Sequence, residues 1–318
     1  MTKYILRRLI LSIPVVIGIT IIIFLMAHLM PGDAVVAMIS VDSPISEDLI
    51  AMRRGQLGLD DPLPVQYIRW LGNVLRGNFG ISFISGLPIG ETILGRVPAT
   101  VELMGVSLVF SIILGVALGI LSALKQYSWI DYALTVFGFA GMSVPVFFLG
   151  MLLIYVFALK LGWFPTSGLG TAAETFSLTD NLRHLILPAA ALGVLRTAEF
   201  MRYTRTSMLE VLHSDYVVTA RSKGLKERVI TLRHVLRNAL VPVVTIVGLS
   251  LPVVFGGAVF IETVFQWPGI GLLYINAVNQ RDSPMIMGLA LISAIIVLIS
   301  NLLTDMAYAL IDPRIRYE

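Results

Sequence analysis

The sequence predicts an all-α integral membrane protein with six transmembrane helices and a long outer loop after the first helix. Of the 318 residues, 57% are hydrophobic and only 14% are charged, whereas an ordinary soluble domain has about 45–50% apolar and about 25% charged residues. The apolar residues form runs that match the ~20 residues a helix needs to cross a ~30 Å hydrocarbon core. Lysine and arginine are distributed unevenly between the segments that connect these runs.

Six runs are predicted to span the membrane. Five contain no charged residue: Leu9–Ala27, Leu103–Leu124, Tyr132–Leu159, Asn238–Ile261 and Ser283–Thr304. A sixth, from about Leu185 to Thr206, is apolar only as far as Leu195. It is included because, without a span at this point, the loops before and after it cannot both be assigned sensibly to a side of the membrane.

The first run follows Lys3, Arg7 and Arg8, and a secretory signal peptide begins in the same way. Its apolar core is longer than the usual ~7–15 residues, and no A-x-A cleavage pattern follows it. We therefore expect an uncleaved first helix.

The basic residues predict the orientation, because cytoplasmic loops carry an excess of lysine and arginine. With the N-terminus inside, the short outer loops hold only Lys160, Arg183 and Arg281, and the long loop is not counted because long loops translocate largely regardless of charge. The inner side then holds Lys3, Arg7, Arg8, Lys125, Arg202, Arg205, Arg221, Lys223, Lys226, Arg228, Arg233, Arg237, Arg314 and Arg316. Both termini are predicted to be cytoplasmic.

The outer loop after the first run, from Pro31 to Pro98, is the largest predicted segment outside the membrane. Val65, Ile68, Leu71 and Leu75 recur at helical spacing within it and predict a short amphipathic helix. A segment of this length rarely sustains its own core. We expect it to pack on the rim of the helices or on a partner.

Several kinds of chemistry are excluded or not indicated. The chain has no cysteine, so disulfides, thiolate zinc sites and a cysteine nucleophile are excluded. The G-x-x-x-x-G-K-[ST] phosphate loop is absent, so the chain does not bind ATP by that device. The four histidines, at 28, 184, 213 and 234, are not paired at metal-ligand spacing. The sequence therefore predicts neither an enzyme nor a metal site, and its net charge of +3 gives no argument for nucleic acid.

A basic stretch interrupts this apolar chain between the fourth and fifth runs, at DYVVTARSKGLKERVITLRHVLRNALVPV (residues 215–243). Apolar residues recur at helical spacing before Gly224 and again after it, at Leu225, Val229, Leu232 and Leu236, and so predict two short amphipathic helices hinged at that glycine. Their polar faces carry Arg221, Lys223 and Arg228. Such a pair is explained either by attraction to anionic headgroups or by docking into the groove of a cytoplasmic partner.

Charges and a proline inside the predicted spans are candidates for function. Arg196 and Glu199 are three residues apart, close enough to pair on one helix face. They are interpreted either as an internal ion pair or as groups that line a solute path and face the charged ends of a zwitterionic peptide. Pro145 interrupts the third run, as an ordinary kink or as part of a gate. Glu262 follows the fifth run and is a further candidate for the path.

The basic stretch resembles the coupling loop (EAA loop) of permease subunits in ATP-binding cassette importers. The family pattern is E-A-A, three residues, G, nine residues and I-x-L-P. Ala220 and Gly224 occupy the second alanine and the glycine, and Leu236 occupies the leucine. The glutamate position holds Val218 and the proline position holds Arg237, departures that are characteristic of the dipeptide, oligopeptide and nickel branch.

The resemblance extends over nearly the whole chain. The stretches similar to that branch are ILRRLI, PVVIGIT, HLMPGD, LGLDDPLPVQY, GNFGIS, MRYTRTSMLEVL, FIETVFQWPGIG and DPRIRYE. The resemblance implies the type I importer permease fold (MetI-like). The predicted division of the chain is a first helix with its N-terminus (1–30), an outer loop (31–97), a five-helix core (98–310) with the coupling loop at 207–238, and a cytoplasmic tail (311–318).

What the resemblance implies is transport and not catalysis. This chain would pair with a second six-helix permease, usually a different chain. Two separate ATPases would bind ATP and Mg, so no cofactor is expected in this chain, and an extracytoplasmic receptor would deliver the solute. The membrane would be the bacterial or archaeal cytoplasmic membrane. The residues expected to couple to the ATPases, within 215–237, are Asp215, Ala220, Arg221, Lys223, Gly224 and Arg228.

The solute remains open at this point. Di- and oligopeptides are the leading expectation, and nickel, glutathione, opines or oligosaccharides are alternatives within the same branch. A self-contained secondary transporter or channel is the alternative of a different class, but it gives no reason for a docking loop of this form. An intramembrane enzyme lacks any supporting constellation of residues.

Overall fold

The structure is a computed structural model that describes residues 2–29, 55, 60–170 and 177–311. Within its helices, the side chains of residues 2–6, 9, 245, 248–257, 303 and 305–311 lie outside the description. The predicted outer loop therefore falls outside it over 31–54 and 56–59, and the predicted tail over 312–318.

Apart from one isolated bridge between Ile81 and Pro88, the regular elements in the described ranges are helices. In chain order they are α1 (Thr2–Leu29), α2 (Leu63–Leu75), α3 (Ile89–Leu94), α4 (Val97–Leu124), α5 (Trp129–Ser143), α6 (Val146–Leu153), α7 (Leu178–Leu212), α8 (Asp215–Ser222), α9 (Glu227–Val229), α10 (Leu236–Val264), α11 (Ile270–Asn279) and α12 (Ser283–Ile311). Two π-helical segments, Ile154–Lys160 and Ile230–Val235, follow α6 and α9. The all-α prediction is confirmed, and the helix predicted near 65–75 is α2.

The chain divides into two compact units. One contains α1–α3, α11 and most of α12, so it joins segments from both ends of the sequence. The other contains nearly all of α4 together with α5–α10.

Four helical stretches among the described residues are long and apolar enough to span a membrane. They are Ile10–Leu29, Ile89–Leu124, Leu178–Leu212 and Ser283–Leu302. A bent pair, Trp129–Ser143 with Val146–Lys160, makes a fifth if it counts as one span. The predicted run 238–261 lies on α10, where many side chains are outside the description. The count of six spans stays a prediction, as does the orientation of the termini.

The predicted third span is broken at Pro145. The two helices on either side of the break are bent by 107°. Val144 and Pro145 both have extended backbone, with ψ of 126° and 134°. The cause is local, because proline disfavours the helical conformation of the residue before it and cannot donate a helical hydrogen bond.

The core of the larger unit depends on small residues of α4 that let α7 approach closely. A Cβ on Gly115 would lie 2.6 Å from Phe200 Cβ, and a Cβ on Gly119 would lie 2.6 Å from Thr204 Cβ. Ser111, one turn earlier on the same face, donates to the carbonyl oxygen of Gly193 at 3.0 Å. Close backbone contact of this kind is a main source of helix association in lipid.

The smaller unit contains part of the predicted outer loop. Ile89 and Ile93 of α3 are fully buried against α11 and α12, with Leu289 among their neighbours. Asp282, immediately before α12, accepts hydrogen bonds from the Ser82 hydroxyl and from the backbone N–H of Met285. Residues 79–94 are therefore packed on the C-terminal helices. The sequence predicts that this loop packs on the helices or on a partner, but no pattern in the sequence indicates which helices.

Candidate functional site

The basic segment turns at Gly224 as the sequence predicted. Gly224 has φ +74°, and its N–H donates to the Arg221 carbonyl at 2.9 Å while the N–H of Leu225 donates to the Ala220 carbonyl at 3.4 Å. This pair of bonds is the Schellman motif, which ends a helix with a residue in the left-handed conformation. A Cβ at Gly224 would meet nothing within 4 Å. Glycine is therefore favoured here because of the positive φ, and not because a side chain would clash with its surroundings.

The second predicted short helix is not separate. From Glu227 the chain runs through α9 and the π-helical turns 230–235 directly into α10. Of the apolar residues at helical spacing after Gly224, Leu225, Val229 and Leu232 are exposed, while Ile230 and Val235 are the residues fully buried against the chain itself. The π-helical turns hold more residues than α-helical turns, so the spacing of an α-helix no longer identifies the buried face.

The segment is packed onto the ends of two long helices. Ala123 of α4 and Met208 of α7 form one buried cluster with Val217, Ala220 and Ile230 of the segment. Ala220, predicted to face the ATPase, is only 6% exposed and packs within its own chain. Movement of this segment is therefore linked to α4 and α7 by direct packing.

The remaining predicted residues of the segment differ from Ala220 in being exposed. Asp215, Arg221, Lys223, Gly224 and Arg228 are all exposed, and Arg221 pairs with Glu227 at 2.9 Å. Exposed apolar side chains lie among them, namely Tyr216, Val218, Leu225 and Val229. We call residues 215–229 with these exposed side chains the coupling surface. It combines apolar area with positive charge, a composition suited to docking against a partner of complementary charge.

A buried ion pair that the sequence did not predict lies before this surface in the chain. Arg205 of α7 donates from Nε and Nη2 to the two carboxylate oxygens of Asp131, each at 2.9 Å. Ser122 of α4 also donates to Asp131, and so does the backbone N–H of Tyr127 at 3.1 Å. These contacts join α4, the turn after it, α5 and α7 through one carboxylate.

One signal in the sequence could have located one end of this pair. Ser128 and Asp131 have the S-x-x-D spacing of a helix start, and the Ser128 side chain caps α5 by accepting from the N–H of Asp131. The pairing with Arg205, 74 residues further along the chain, has no local signal.

Arg196 and Glu199 form the predicted ion pair within α7, with Nη1 and Oε2 3.0 Å apart. Their side chains remain 21% and 31% exposed, about halfway along the 35-residue helix. A charge pair that faced lipid at this position would be costly, and intramembrane charges usually face protein or a water-filled cavity.

The other two path candidates lie in different environments. Pro145 is exposed at the break between α5 and α6. Glu262 is fully buried and accepts a hydrogen bond from Thr100 at 2.7 Å. Nearby, the Trp267 indole donates to the carbonyl oxygen of Ala99 at 2.8 Å. In this structure Glu262 therefore joins α10 to the start of α4 and does not face an open path.

Comparison with known proteins gives consistent matches over the whole chain. Residues 115–317 match the family described as "Binding-protein-dependent transport system inner membrane component", and residues 1–104 match its N-terminal counterpart. The chain is 45% identical over 318 residues, with all of both chains covered, to the oligopeptide transport system permease protein AppB of Bacillus subtilis. It is 39% identical, again with full coverage of both, to the glutathione transport system permease protein GsiC of Salmonella paratyphi A.

The fold is also found among solved structures. The chain is similar to a chain in inward-facing crystals of the MetNI methionine ABC transporter, with a TM-score of 0.55 and 16% sequence identity. The match covers 70% of this chain and 96% of that one. At this identity the likeness concerns the fold alone, and it agrees with the fold predicted from the sequence.

Proposed function

Because the chain belongs to the family of binding-protein-dependent inner-membrane transport components, we propose that it is a permease subunit through which an ATP-driven importer moves small peptides. The observation that carries this proposal is similarity over the full length of the chain to permeases named for oligopeptides and for glutathione, which is itself a peptide. Import of nickel or oligosaccharides by the same architecture is the alternative.

The proposed partners are a second permease subunit, two ATPases that bind ATP and Mg, and an extracytoplasmic receptor. The coupling surface supports the ATPase contact because its basic and apolar side chains are exposed while the rest of the segment is packed against α4 and α7. Both termini and this surface would then face the cytoplasm. The competing interpretation is that the same surface binds anionic lipid headgroups.

The proposed solute path includes the Arg196–Glu199 pair. A peptide has an ammonium at one end and a carboxylate at the other, so a partly exposed pair of opposite charges offers a counter-charge to each end. The pair is compatible with a zwitterionic solute because its own charges balance.

The test is purification of the chain from its native membranes in mild detergent, followed by uptake measurements in liposomes. We expect Walker-motif ATPases and a second permease to co-purify, and ATP-driven uptake of labelled di- or oligopeptides once the receptor is added. Excess unlabelled peptide should compete, whereas nickel and oligosaccharides should not. If the chain purifies alone with anionic lipid, the proposed contact with the ATPases is contradicted. If nickel competes for uptake and peptide does not, the proposal that the solute is a peptide is contradicted.

A further inference from the structure

Helix α2 lies against the C-terminal half of α1. The Tyr67 hydroxyl is 2.9 Å from Thr20 Oγ1. The rings of Tyr67 and Trp70 have centroids 5.5 and 6.0 Å from that of Phe24. Thr20 and Phe24 are buried by these contacts. α2 is therefore fixed to α1 by aromatic packing and a hydrogen bond.

These contacts place α2 beside apolar membrane-spanning sequence. The apolar stretch of α1 is Ile10–Leu29. His28, near its end, has Nε2 3.0 Å from the side-chain oxygen of Gln66 in α2. At 1.5 Å per residue, the contacts from Thr20 to His28 cover about 12 Å of α1. They begin near the end of the span, where the hydrocarbon core of about 30 Å meets the headgroups, and extend into the acyl-chain region.

Three different faces follow one another around α2. The face on α1 is formed by Gln66, Tyr67 and Trp70. The next face is apolar and exposed, and it consists of Val65 (44%), Ile68 (68%) and Leu75 (79%). The third is polar and exposed, and it consists of Arg69 and Asn73, with Arg76 immediately after the helix; Arg69 is paired to Asp61 at 2.7 Å. The 3.6-residue period separates Asn73 from Ile68 and Leu75 by about 140–160°, and Val65 and Arg69, four residues apart, lie where the apolar and polar faces meet.

We propose that α2 is an interfacial helix whose apolar face, Val65, Ile68 and Leu75, inserts among the acyl chains of the bilayer beside α1. Arg69, Asn73 and Arg76 then lie at the headgroup surface. An amphipathic helix in this position buries its apolar side about 5–10 Å into the boundary between headgroups and acyl chains, a depth that falls within the stretch of α1 that α2 contacts.

Lipid is the expected occupant because this face is continuous with a surface that already requires lipid. On the same stretch of α1, Ile22, Leu25 and Met26 are exposed apolar residues of a membrane span. A soluble partner that docked only transiently would leave Ile68 and Leu75 in water between encounters, at a cost of about 25 cal/mol per Å² of apolar surface. This inference requires only that α1 spans the membrane, and it is independent of the solute and of the ATPases.

The absence of cysteine allows a direct test on the full-length chain. A nitroxide spin label is attached to Ile68→Cys on the apolar face and to Asn73→Cys on the polar face. Both positions are exposed, so neither label disturbs the packing on α1. The chain is placed in nanodiscs of phosphatidylethanolamine and phosphatidylglycerol, and collisions with oxygen, which concentrates in lipid, are compared with collisions with a water-soluble nickel chelate.

We expect the ratio of oxygen to nickel accessibility to be several-fold higher at 68 than at 73, and Leu75→Cys to behave as Ile68→Cys does. Equal nickel accessibility at 68 and 73 overturns the proposal, because the apolar face would then be in water and open to a soluble partner. Protection of 68 from both reagents, in the full transporter or in the chain alone, also overturns it, because another protein surface would cover the face.

Discussion

Gly224 is the residue whose function can be separated most cleanly from its structural role. Its φ of +74° disfavours side chains, but a side chain there would meet nothing. We predict that Gly224→Asp costs only about 1–2 kcal/mol of folding free energy, because aspartate tolerates this backbone conformation better than most residues. ATP-driven uptake should nevertheless be lost, because a negative charge is placed in the middle of the basic coupling surface.

Gly77→Asp is the matched control for this substitution. Gly77 has φ +80° and lies in the segment after α2, where an added Cβ would likewise meet nothing within 4 Å. Uptake and co-purification of the ATPases are compared at equal expression of both variants. Normal uptake by Gly224→Asp, or an equal loss of uptake in both variants, would contradict the assignment of the coupling surface.

Arg196 and Glu199 are predicted to affect transport more than stability. An i,i+3 ion pair contributes only about 0.2–0.5 kcal/mol to a helix, so Arg196→Gln and Glu199→Gln should each leave the midpoint of thermal unfolding nearly unchanged. If the pair faces the solute, peptide uptake falls and the preference between free peptides and peptides with blocked ends changes. An unchanged rate and preference removes both residues from the path.

Individual residues were predictable where one local feature determines them. Gly224 could be identified because a left-handed helix end favours glycine whatever surrounds it. Ala220 was placed on the partner side by its position in a family pattern, and in the structure it is buried against its own chain. Asp131 and Arg205 were missed as a pair because their contact depends on how α5 packs against α7.

At the scale of elements, the Asp131–Arg205 pair is expected to connect α5 with α7 energetically. Asp131 is almost fully buried and Arg205 is 29% exposed at its side chain, so removal of either partner leaves a partly buried charge without its counter-charge. We predict that Asp131→Asn and Arg205→Gln, measured alone and together, give a coupling free energy of about 1–3 kcal/mol. The measurement is reversible unfolding of the purified chain.

The exposed pair Asp61–Arg69 is the control for that cycle. Its side chains are 40% and 53% exposed, and surface pairs of this kind contribute about 0–1 kcal/mol. A coupling for Asp131–Arg205 no larger than that of the control contradicts the role given to the buried pair. Uptake by each variant at a temperature where all remain folded then shows whether the connection also serves transport.

The contact between α4 and α7 gives a second prediction at this scale. Gly119→Ala places a Cβ 2.7 Å from the Met201 carbonyl oxygen, and such overpacking costs about 1–3 kcal/mol. Gly105→Ala on the same helix meets nothing within 4 Å, so it should be neutral or stabilise by up to about 1 kcal/mol. Circular dichroism during heating in nanodiscs compares the two. If Gly105→Ala loses as much stability as Gly119→Ala, close contact between α4 and α7 is ruled out as the cause of the destabilisation.

Elements were predictable as far as their periodicity is regular. The composition of the apolar runs sufficed for α1, α4 and α12, whereas α7 was included only because the loops on either side of it required a span. A proline in a run indicated the break between α5 and α6. The π-helical turns 230–235 were not predicted because the α-helical spacing of Leu225, Val229 and Leu232 was extended through them. Helix α3 was not predicted either, since its six residues are too few to show a period.

For the whole molecule, the all-α membrane architecture was predictable because solvation by lipid imposes long apolar runs on the sequence. The assembly of the smaller unit was not. Ser82 and Asp282 are 200 residues apart, and neither stretch contains a signal that specifies the other. Pairing between distant segments is decided by packing and by side-chain hydrogen bonds, which a pattern read along the chain does not contain.

That separation has a consequence for biogenesis. At about 5–20 residues per second, a ribosome needs roughly 10–40 s to synthesise the chain between Ser82 and Asp282. During this interval Ile89 and Ile93 have been inserted but their partners on α11 and α12 do not yet exist. The nascent protein therefore waits with an unfinished apolar surface, and a polypeptide truncated before α11 keeps that surface permanently. Only the complete chain can bury Ile89 and Ile93, so these late contacts form after nearly all of the protein has been synthesised.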